Sequence, residues 1–350
     1  MTTSADALAE RLFTAATATF DLAGVYLGDR LGYYRSLAGD GPATAEELAA
    51  RTGTDTRYTR EWLEQQAVAG ILDVDGEHRF SLSAAHALVL VEEESLNLMA
   101  PLSRMITAAM GRLPSLVEVY RTGHGMGWDA YGADMREGQA SFNRPAFTHL
   151  LPNEWLPAID DLHARLHAQP AARVADIGCG EGWSTIAMAR AYPSAEFVGI
   201  DLDAPSIDAA RRHAAAAGMN GRLQFRTADA ARLGERFDAA IIIEAVHDMA
   251  NPVPVLAAVR DSLTDDGSLI VVDERVAEEF TAPGDDLERF MYGWSITTCL
   301  PDGLSRQPSV GTGTVMRPAT LRAYAAEAGF GSVEILPIEN DFFRFYRLRP

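Results

Sequence analysis

The sequence predicts an α/β fold in two parts. A mostly parallel sheet, covered by helices on both faces and closed by an antiparallel pair, follows a mainly helical N-terminal domain. Three observations carry this. The apolar run Arg173-Val174-Ala175-Asp176-Ile177 breaks into glycines at alternate positions, Gly178, Gly180 and Gly182, and the amphipathic stretch Trp183 to Ala191 follows at once. From Arg173 onward apolar strand-like runs alternate with helical patterns, the signature of βαβ units. Residues 1–95 instead read as helix, turn, helix and hairpin.

Composition bounds the function. The 350 residues suit two domains, and 47% hydrophobic with 23% charged residues is an ordinary globular balance. No apolar run approaches the ~20 residues of a membrane span, so no membrane partner is expected. The N-terminus carries Asp6 and Glu10 and no apolar core of a signal peptide. Cys179 and Cys299 offer no disulfide framework, so a reduced, cytoplasmic location is expected. With 30 basic against 49 acidic residues the net charge is −19, which disfavours nucleic acid as a partner. All the basic residues are arginines. The lack of lysine excludes Schiff-base chemistry, pyridoxal phosphate attachment and a Walker A phosphate loop.

In chain order, Ala7 to Phe20 and Leu22 to Leu37 show apolar positions at helical spacing. Gly41-Pro42 breaks the chain, and Thr44-Ala45-Glu46-Glu47 is a capping box that starts a helix ending near Gly53. A second helix runs from about Thr56 to Val68. Ile71 to Leu82, with Asp75-Gly76 at its centre, reads as a hairpin. Together these spell a winged helix. Its obvious use is DNA binding, but residues 1–95 hold 16 acidic and seven basic side chains, and Arg57 and Arg60 are balanced by Glu61 and Glu64. A helix meant for phosphates carries a positive excess. The expected role is dimerisation and covering of a substrate, giving a homodimer.

Residues 96–150 form a connector with helices at Leu96 to Met110 and Pro114 to Tyr120. Its glycine-rich segment Gly123 to Trp128 suits either a mobile loop over a pocket or a surface turn. Pro152 to His167 reads as the helix leading into the third domain, 151–350. There the strands are Arg173 to Ile177, Glu196 to Ile200, Leu223 to Arg226, Phe237 to Ile243 and Ser268 to Val272. Gly329 to Ile338 and Phe342 to Leu348 form the closing pair. A helix fills Pro205 to Ala217, and another starts at Asn251-Pro252 with a favourable cap and Pro at its first position.

The glycine loop narrows the ligand. A dinucleotide site needs G-x-G-x-x-G, which places the third glycine at position 183; that residue is Trp183. Asp176 also stands where such a site is usually apolar. The pattern D-x-G-x-G-x-G resembles motif I of the class I S-adenosylmethionine (SAM) methyltransferases, and Asp201, at the end of the next strand, can hold both ribose hydroxyls. The resemblance implies a Rossmann-like methyltransferase sheet and SAM as cofactor. It implies a cofactor site of Asp176, Gly178, Gly180, Gly182, Asp201, Leu202, Asp229, Ala230 and Glu244, in which Asp229 meets the adenine amino group.

His247-Asp248, in the loop after the fourth strand of the sheet, resembles the His-Asp pair of plant-type small-molecule O-methyltransferases and their bacterial antibiotic-pathway relatives. The resemblance implies a small-molecule methyl acceptor, His247 as general base, and Glu274 as the acid that orients it. No metal is expected in that reading. The usual Trp after the pair is Met249, and the following acidic pair is Ala250-Asn251. The bland alternative makes His247 a hydrogen-bonded or capping histidine and Asp248 a helix cap. Some relatives of the same architecture methylate the carbon beside the ketone of 2-oxo acids with a metal held by a His-Asp pair and a further histidine. No histidine follows His247 here, so a third ligand would come from upstream, such as His149, or from another residue type. A SAM-sensing winged-helix regulator is a non-catalytic alternative. The absence of lysine excludes the catechol methyltransferases that rely on a lysine base. Cys179 reads as a small packing residue, and His163, His167 and His213 as solvated helix positions. Tyr292, Trp294 and Cys299 fall where an acceptor pocket is expected, with a plain core role equally open.

Overall fold

The structure is a computed structural model that describes residues 4–219 and 223–350. It contains two compact units: residues up to Thr107 together with Glu137–Pro145, and Ala108–Arg136 together with Ala146–Pro350. Among the described residues no helix is long and apolar enough to cross a membrane.

The first unit opens with α1 (Ala5–Arg30), capped by the Ser4 side chain. The sequence suggested two helices here, divided near residue 21. The chain instead stays helical until Gly32, whose φ of +76° ends the run before α2 (Tyr33–Asp40). Gly24 and Gly28 do not break α1; they let α4 approach. The Trp62 indole donates to Gly24 O at 2.8 Å, and a Cβ on Gly28 would lie 2.4 Å from the Trp62 ring. Helix α3 (Ala45–Thr52) starts on the expected capping box, Thr44 and Glu47 bonding each other's backbone N–H. Helix α4 (Thr56–Val68) is capped by Asp55. The hairpin is shorter than its apolar flanks suggest: β1 (Asp73–Val74) and β2 (Phe80–Ser81) pair over two residues each. The turn is wider than Asp75-Gly76, because the Asp75 carboxylate accepts from the N–H of both Glu77 and Arg79, and His78 takes the positive φ. Helices α5 (Ala84–Leu90) and α6 (Ala100–Met110) follow.

The second unit contains α7 (Leu113–Thr122) and α9 (Asp160–His167), and α8 (Gly132–Leu150) is divided, its middle Glu137–Pro145 belonging to the first unit. The single helix expected over 152–167 is interrupted: a π-turn at Leu151–Trp155 extends α8, and α9 restarts after Ile159, which is not helical. The sheet is built from β3 (Arg173–Ile177), β4 (Glu196–Asp201), β5 (Leu223–Thr227), β6 (Phe237–Ile243), β7 (Leu263–Glu274), β8 (Ser332–Ile335) and β9 (Phe343–Arg349). Its order is β5-β4-β3-β6-β7-β9-β8, with β3 to β7 parallel and the last two strands antiparallel. Between them run α10 (Trp183–Ala191), α11 (Ala204–Ala216), α12 (Pro252–Ser262), α13 (Asp286–Trp294), α14 (Leu300–Gly303) and α15 (Pro318–Glu327).

Alternation along each strand splits the core in two. Val174, Phe197, Ile241, Ile243 and Val272 pack on one face with Leu166, Ile186, Met188 and Tyr192. Ala175, Ile177, Ile200, Ile242 and Val271 pack on the other with Leu256, Val259, Leu321 and Ala325. Each buried Val, Leu, Ile, Phe or Met among them contributes about 1.5–3 kcal/mol of hydrophobic stabilisation. The strand order reverses between β3 and β6, and the crevice outside the carboxyl ends at such a reversal is where ligands bind in this architecture.

Candidate active site

Two groups of polar residues meet at the carboxyl ends of the strands. The first is the glycine loop. Asp176, two residues beyond the inward Val174, faces α10, and its Oδ2 accepts from the Ser184 and Thr185 hydroxyls, each at 2.6 Å. Burial pushes this carboxyl up to about 6 despite the two bonds. Asp176 therefore pins the loop to the helix. Asp201 accepts from Gly180 N–H and Asp203 N–H, both at 2.8 Å, and burial raises its pKa.

The three glycines have different jobs. All have positive φ. A Cβ on Gly178 would stand 2.6 Å from Ala245 Cβ, and one on Gly182 would stand 2.8 Å from Ala210 and Phe225. On Gly180 it would meet nothing within 4 Å. The outer two are glycine for packing, and the middle one borders open space. Leu202 is half exposed beside Asp201. Asp229 caps a short turn through Ala231 N–H at 2.9 Å, with Ala230 buried behind it. Glu244 takes a left-handed φ of +51° immediately after β6 while its N–H donates to Val272 O.

The second group surrounds His247, which is 2% exposed. Its Nδ1 donates to Asp273 Oδ1 at 2.9 Å, and Glu274 Oε2 stands 3.1 Å from the same nitrogen. Nε2 lies 3.4 Å from Asp248 Oδ1. Asp273 was not among the residues picked from sequence; it is the side chain that makes the hydrogen bond. The signal was present in the Asp273-Glu274 dipeptide, but strand alternation suggests that only one of two neighbours faces a given partner. Both reach the imidazole because they end the strand.

Burial alone pulls the His247 pKa down, but Glu274, Asp248 and Asp273 more than offset it, and the imidazole stands well above its ordinary value. Burial pushes Glu274 up to about 7 and raises Asp248. The three carboxyls therefore favour the protonated form of the imidazole over the neutral one, which strengthens His247 as a proton acceptor. Asp248 caps nothing, and Asn251 precedes α12 without the side-chain cap expected of it. His149 is exposed, and the ligating groups gathered around His247 among the described residues do not include it.

A widened helix flanks this cluster. A π-turn over Ser295–Cys299 carries Cys299 to the His247–Asp248 pair. It also offers the carbonyls of Ile296 and Thr297, which accept from the Tyr120 and Tyr131 hydroxyls at 2.9 and 2.7 Å. The glycine-rich segment is docked rather than free: Met126 N–H donates to Pro301 O and Trp128 N–H to Asp302 Oδ1. Gly125 has no room for a Cβ, which would fall 2.0 Å from Ser305 N. Tyr292 accepts from Arg317 at 3.4 Å, and Trp294 packs edge-on against Phe290. Cys179 is buried, its thiol pushed well up by burial, consistent with packing. His163 and His213 are half-buried, not solvated as expected: His163 bonds the Tyr192 hydroxyl at 2.9 Å, and His213 stacks on Trp183. A cavity of 410 Å³ lies at the opposite, amino ends of the strands, where Arg165 and Arg236 are already paired with Asp238 and Asp265.

Comparison with known proteins agrees with this fold. Residues 168–299 match a methyltransferase domain family, and residues 21–92 match an Rv2258c-like winged helix-turn-helix domain. The ubiquinone biosynthesis O-methyltransferase of Cereibacter sphaeroides (strain ATCC 17025 / ATH 2.4.3) is 39% identical over 111 residues, 31% of this chain and 44% of that protein. The match thus spans less than half of that relative. Human N-acetylserotonin methyltransferase, solved with SAM, superimposes with a TM-score of 0.74 at 16% identity, covering 100% of this chain and 99% of that one. The mitomycin 7-O-methyltransferase MmcR gives 0.69 at 20% identity over 98% of both chains. At such identities the likeness is one of fold. Residues 168–299 thus resemble a methyltransferase domain and residues 21–92 a winged-helix domain, and the fold is that of the class I SAM-dependent methyltransferases.

Proposed function

We propose that this chain methylates a hydroxyl of a small molecule, with SAM as donor and His247 as general base. The observation that carries the proposal is the orientation of one imidazole. Nδ1 is anchored by Asp273 with Glu274 beside it, and Nε2 is turned toward the side where Asp248 is partly exposed. Asp201 would hold the ribose hydroxyls, Leu202 the nucleoside face, and Asp229 and Ala230 the adenine. The Gly178–Gly182 loop, pinned by Asp176, would let the cofactor approach at Gly180, with Glu244 closing the site from β6. When bound, SAM supplies an electrophilic methyl on a sulfonium. The protein's share is alignment and removal of the acceptor's proton. His247 Nε2 takes that proton, and the resulting imidazolium is held by Asp273 and Glu274. Asp248 must turn away from Nε2 to admit the hydroxyl.

The winged-helix domain serves a homodimer in this proposal. Helix α1 exposes Leu12, Phe13 and Phe20 at 60, 76 and 72%. Apolar area of that kind on one helix marks an association surface. Its net acidic composition argues against nucleic acid as the partner.

The test is a pair of variants at His247. His247→Ala, and His247→Gln where the fold needs more volume, should keep SAM affinity and lose roughly 10²–10⁴-fold in turnover. Turnover within threefold of the parent chain, with a correctly folded variant, would remove His247 from the chemistry.

A further inference from the structure

Methyl transfer as proposed has no use for Cys299, yet the π-turn delivers its thiol to the base. Ligating atoms of His247, Asp248 and Cys299 lie within 4.8 Å of one another. We propose that His247 Nε2, Asp248 Oδ1 and Cys299 Sγ form a binding site for a thiophilic divalent cation of the zinc class. The inference shares His247 with the proposed function but rests on geometry alone.

Four features support it. Nε2 and Oδ1 are 3.4 Å apart, close to the edge of a tetrahedron whose metal bonds are about 2.0–2.3 Å. Nδ1 already donates to a carboxylate, which is the outer arrangement that fixes the tautomer and aims Nε2 at a metal. Asp248 Oδ1 is a buried atom with no hydrogen-bond partner among the described residues. Thr314, 2% exposed, has a hydroxyl that likewise makes no hydrogen bond among the described residues. Such orphaned polar atoms call for an occupant.

The donor set selects the ion. A thiolate, an imidazole and a carboxylate favour zinc over magnesium or calcium, and two anionic ligands neutralise a dication. His247, Asp273 and Glu274 form a second possible set, but Nδ1 and Asp273 Oδ1 are committed to each other, which leaves the Nε2 side. Binding would release the thiol proton, and any proton on Nε2, to solvent; no electrons move. Because the metal and the acceptor's proton compete for Nε2, occupancy and base catalysis exclude each other. Zinc should therefore inhibit competitively with acceptor and not with SAM.

The experiment uses the full chain, stripped with a chelator and titrated with Co²⁺ as a spectroscopic probe. A single Co²⁺ per chain with a thiolate-to-cobalt charge-transfer band, displaced by Zn²⁺, is expected. Cys299→Ser should abolish the band and weaken Zn²⁺ binding on the order of a hundredfold. Alkylation of the unaltered chain, mapped by mass spectrometry, should show Cys299 protected by Zn²⁺, which makes the test independent of any variant's folding. A missing band, a band that survives Cys299→Ser, or no protection of Cys299 would each overturn the site. Those results leave the base reading standing. Methyl transfer that is lost on stripping and restored by metal would support the site and overturn the base.

Discussion

The glycine loop and the His247 cluster are both acidic, buried and set at strand ends, yet they handle charge in opposite ways. In the loop each carboxylate is met by hydrogen-bond donors: Asp176 by Ser184 and Thr185, Asp201 by Asp203 and Gly180. Around His247 three carboxyls from two segments crowd one imidazole, and Asp248 Oδ1, Asp273 Oδ2 and Glu274 Oε2 make no hydrogen bond among the described residues. Saturated carboxylates hold a shape; unsaturated ones wait for a proton, a substrate or an ion. In the proposed function these become a binding half and a reacting half, distinguished by how fully their polar atoms are satisfied.

The sharpest way to break that division is at Gly178, the point where the halves touch. A side chain there must adopt a φ of +71° and push into Ala245, two residues before His247. Gly178→Val should abolish detectable SAM binding by titration calorimetry, a loss of more than about a hundredfold in affinity, and should lower turnover as well. If SAM still binds within tenfold, the loop is more pliable than this packing allows. A smaller effect belongs to Asp201. Replacing it with Asn keeps its shape but removes the charge that would hold two ribose hydroxyls, and affinity for SAM should fall on the order of tenfold to a hundredfold. Turnover at saturating SAM should be almost unchanged, which separates it from His247→Gln. Loss of turnover without loss of affinity would move Asp201 into the reacting half.

How much of this was legible in sequence follows from the same division. The loop was readable because its parts lie within one strand, one turn and one helix, so glycine spacing alone locates it. Strands β3 and β6 and helices α4 and α10 agree with their apolar periodicity. The capping box at Thr44 is a four-residue pattern and is legible; the cap at Asn251 is not made, since Pro252 alone suffices to start α12. The His247 cluster depends on side chains far apart in the chain. Its His-Asp pair could be singled out, but the roles of Asp273 and Cys299 come from a strand end and a π-turn, and no periodicity encodes either. The long α1 was misdivided because Gly24 and Gly28 serve helix packing rather than chain breaking.

The smallest effect sharpens the claim that the loop's carboxylates are structural. Asp176 ionises in the folded chain near pH 6, against an unfolded value near 3.9. Because the folded pKa is raised, the unfolded state binds fewer protons between those values. The carboxyl's favourable contribution is full below about pH 4 and is lost as pH rises through 6. Asp176→Asn carries no such proton, so the stability of the unaltered chain should fall relative to the variant by about 1.4 kcal/mol between pH 5 and pH 8. Asn Oδ1 can still accept from Ser184 and Thr185, and any fixed change in packing shifts both ends of the comparison equally. Urea unfolding of the two proteins at a series of pH values reads the difference directly. Curves that run parallel would mean that the two hydroxyl bonds already offset the burial of the charge, leaving Asp176 an ordinary ionised pin. Curves that converge toward acid place the cost of the loop's shape on this one buried carboxyl.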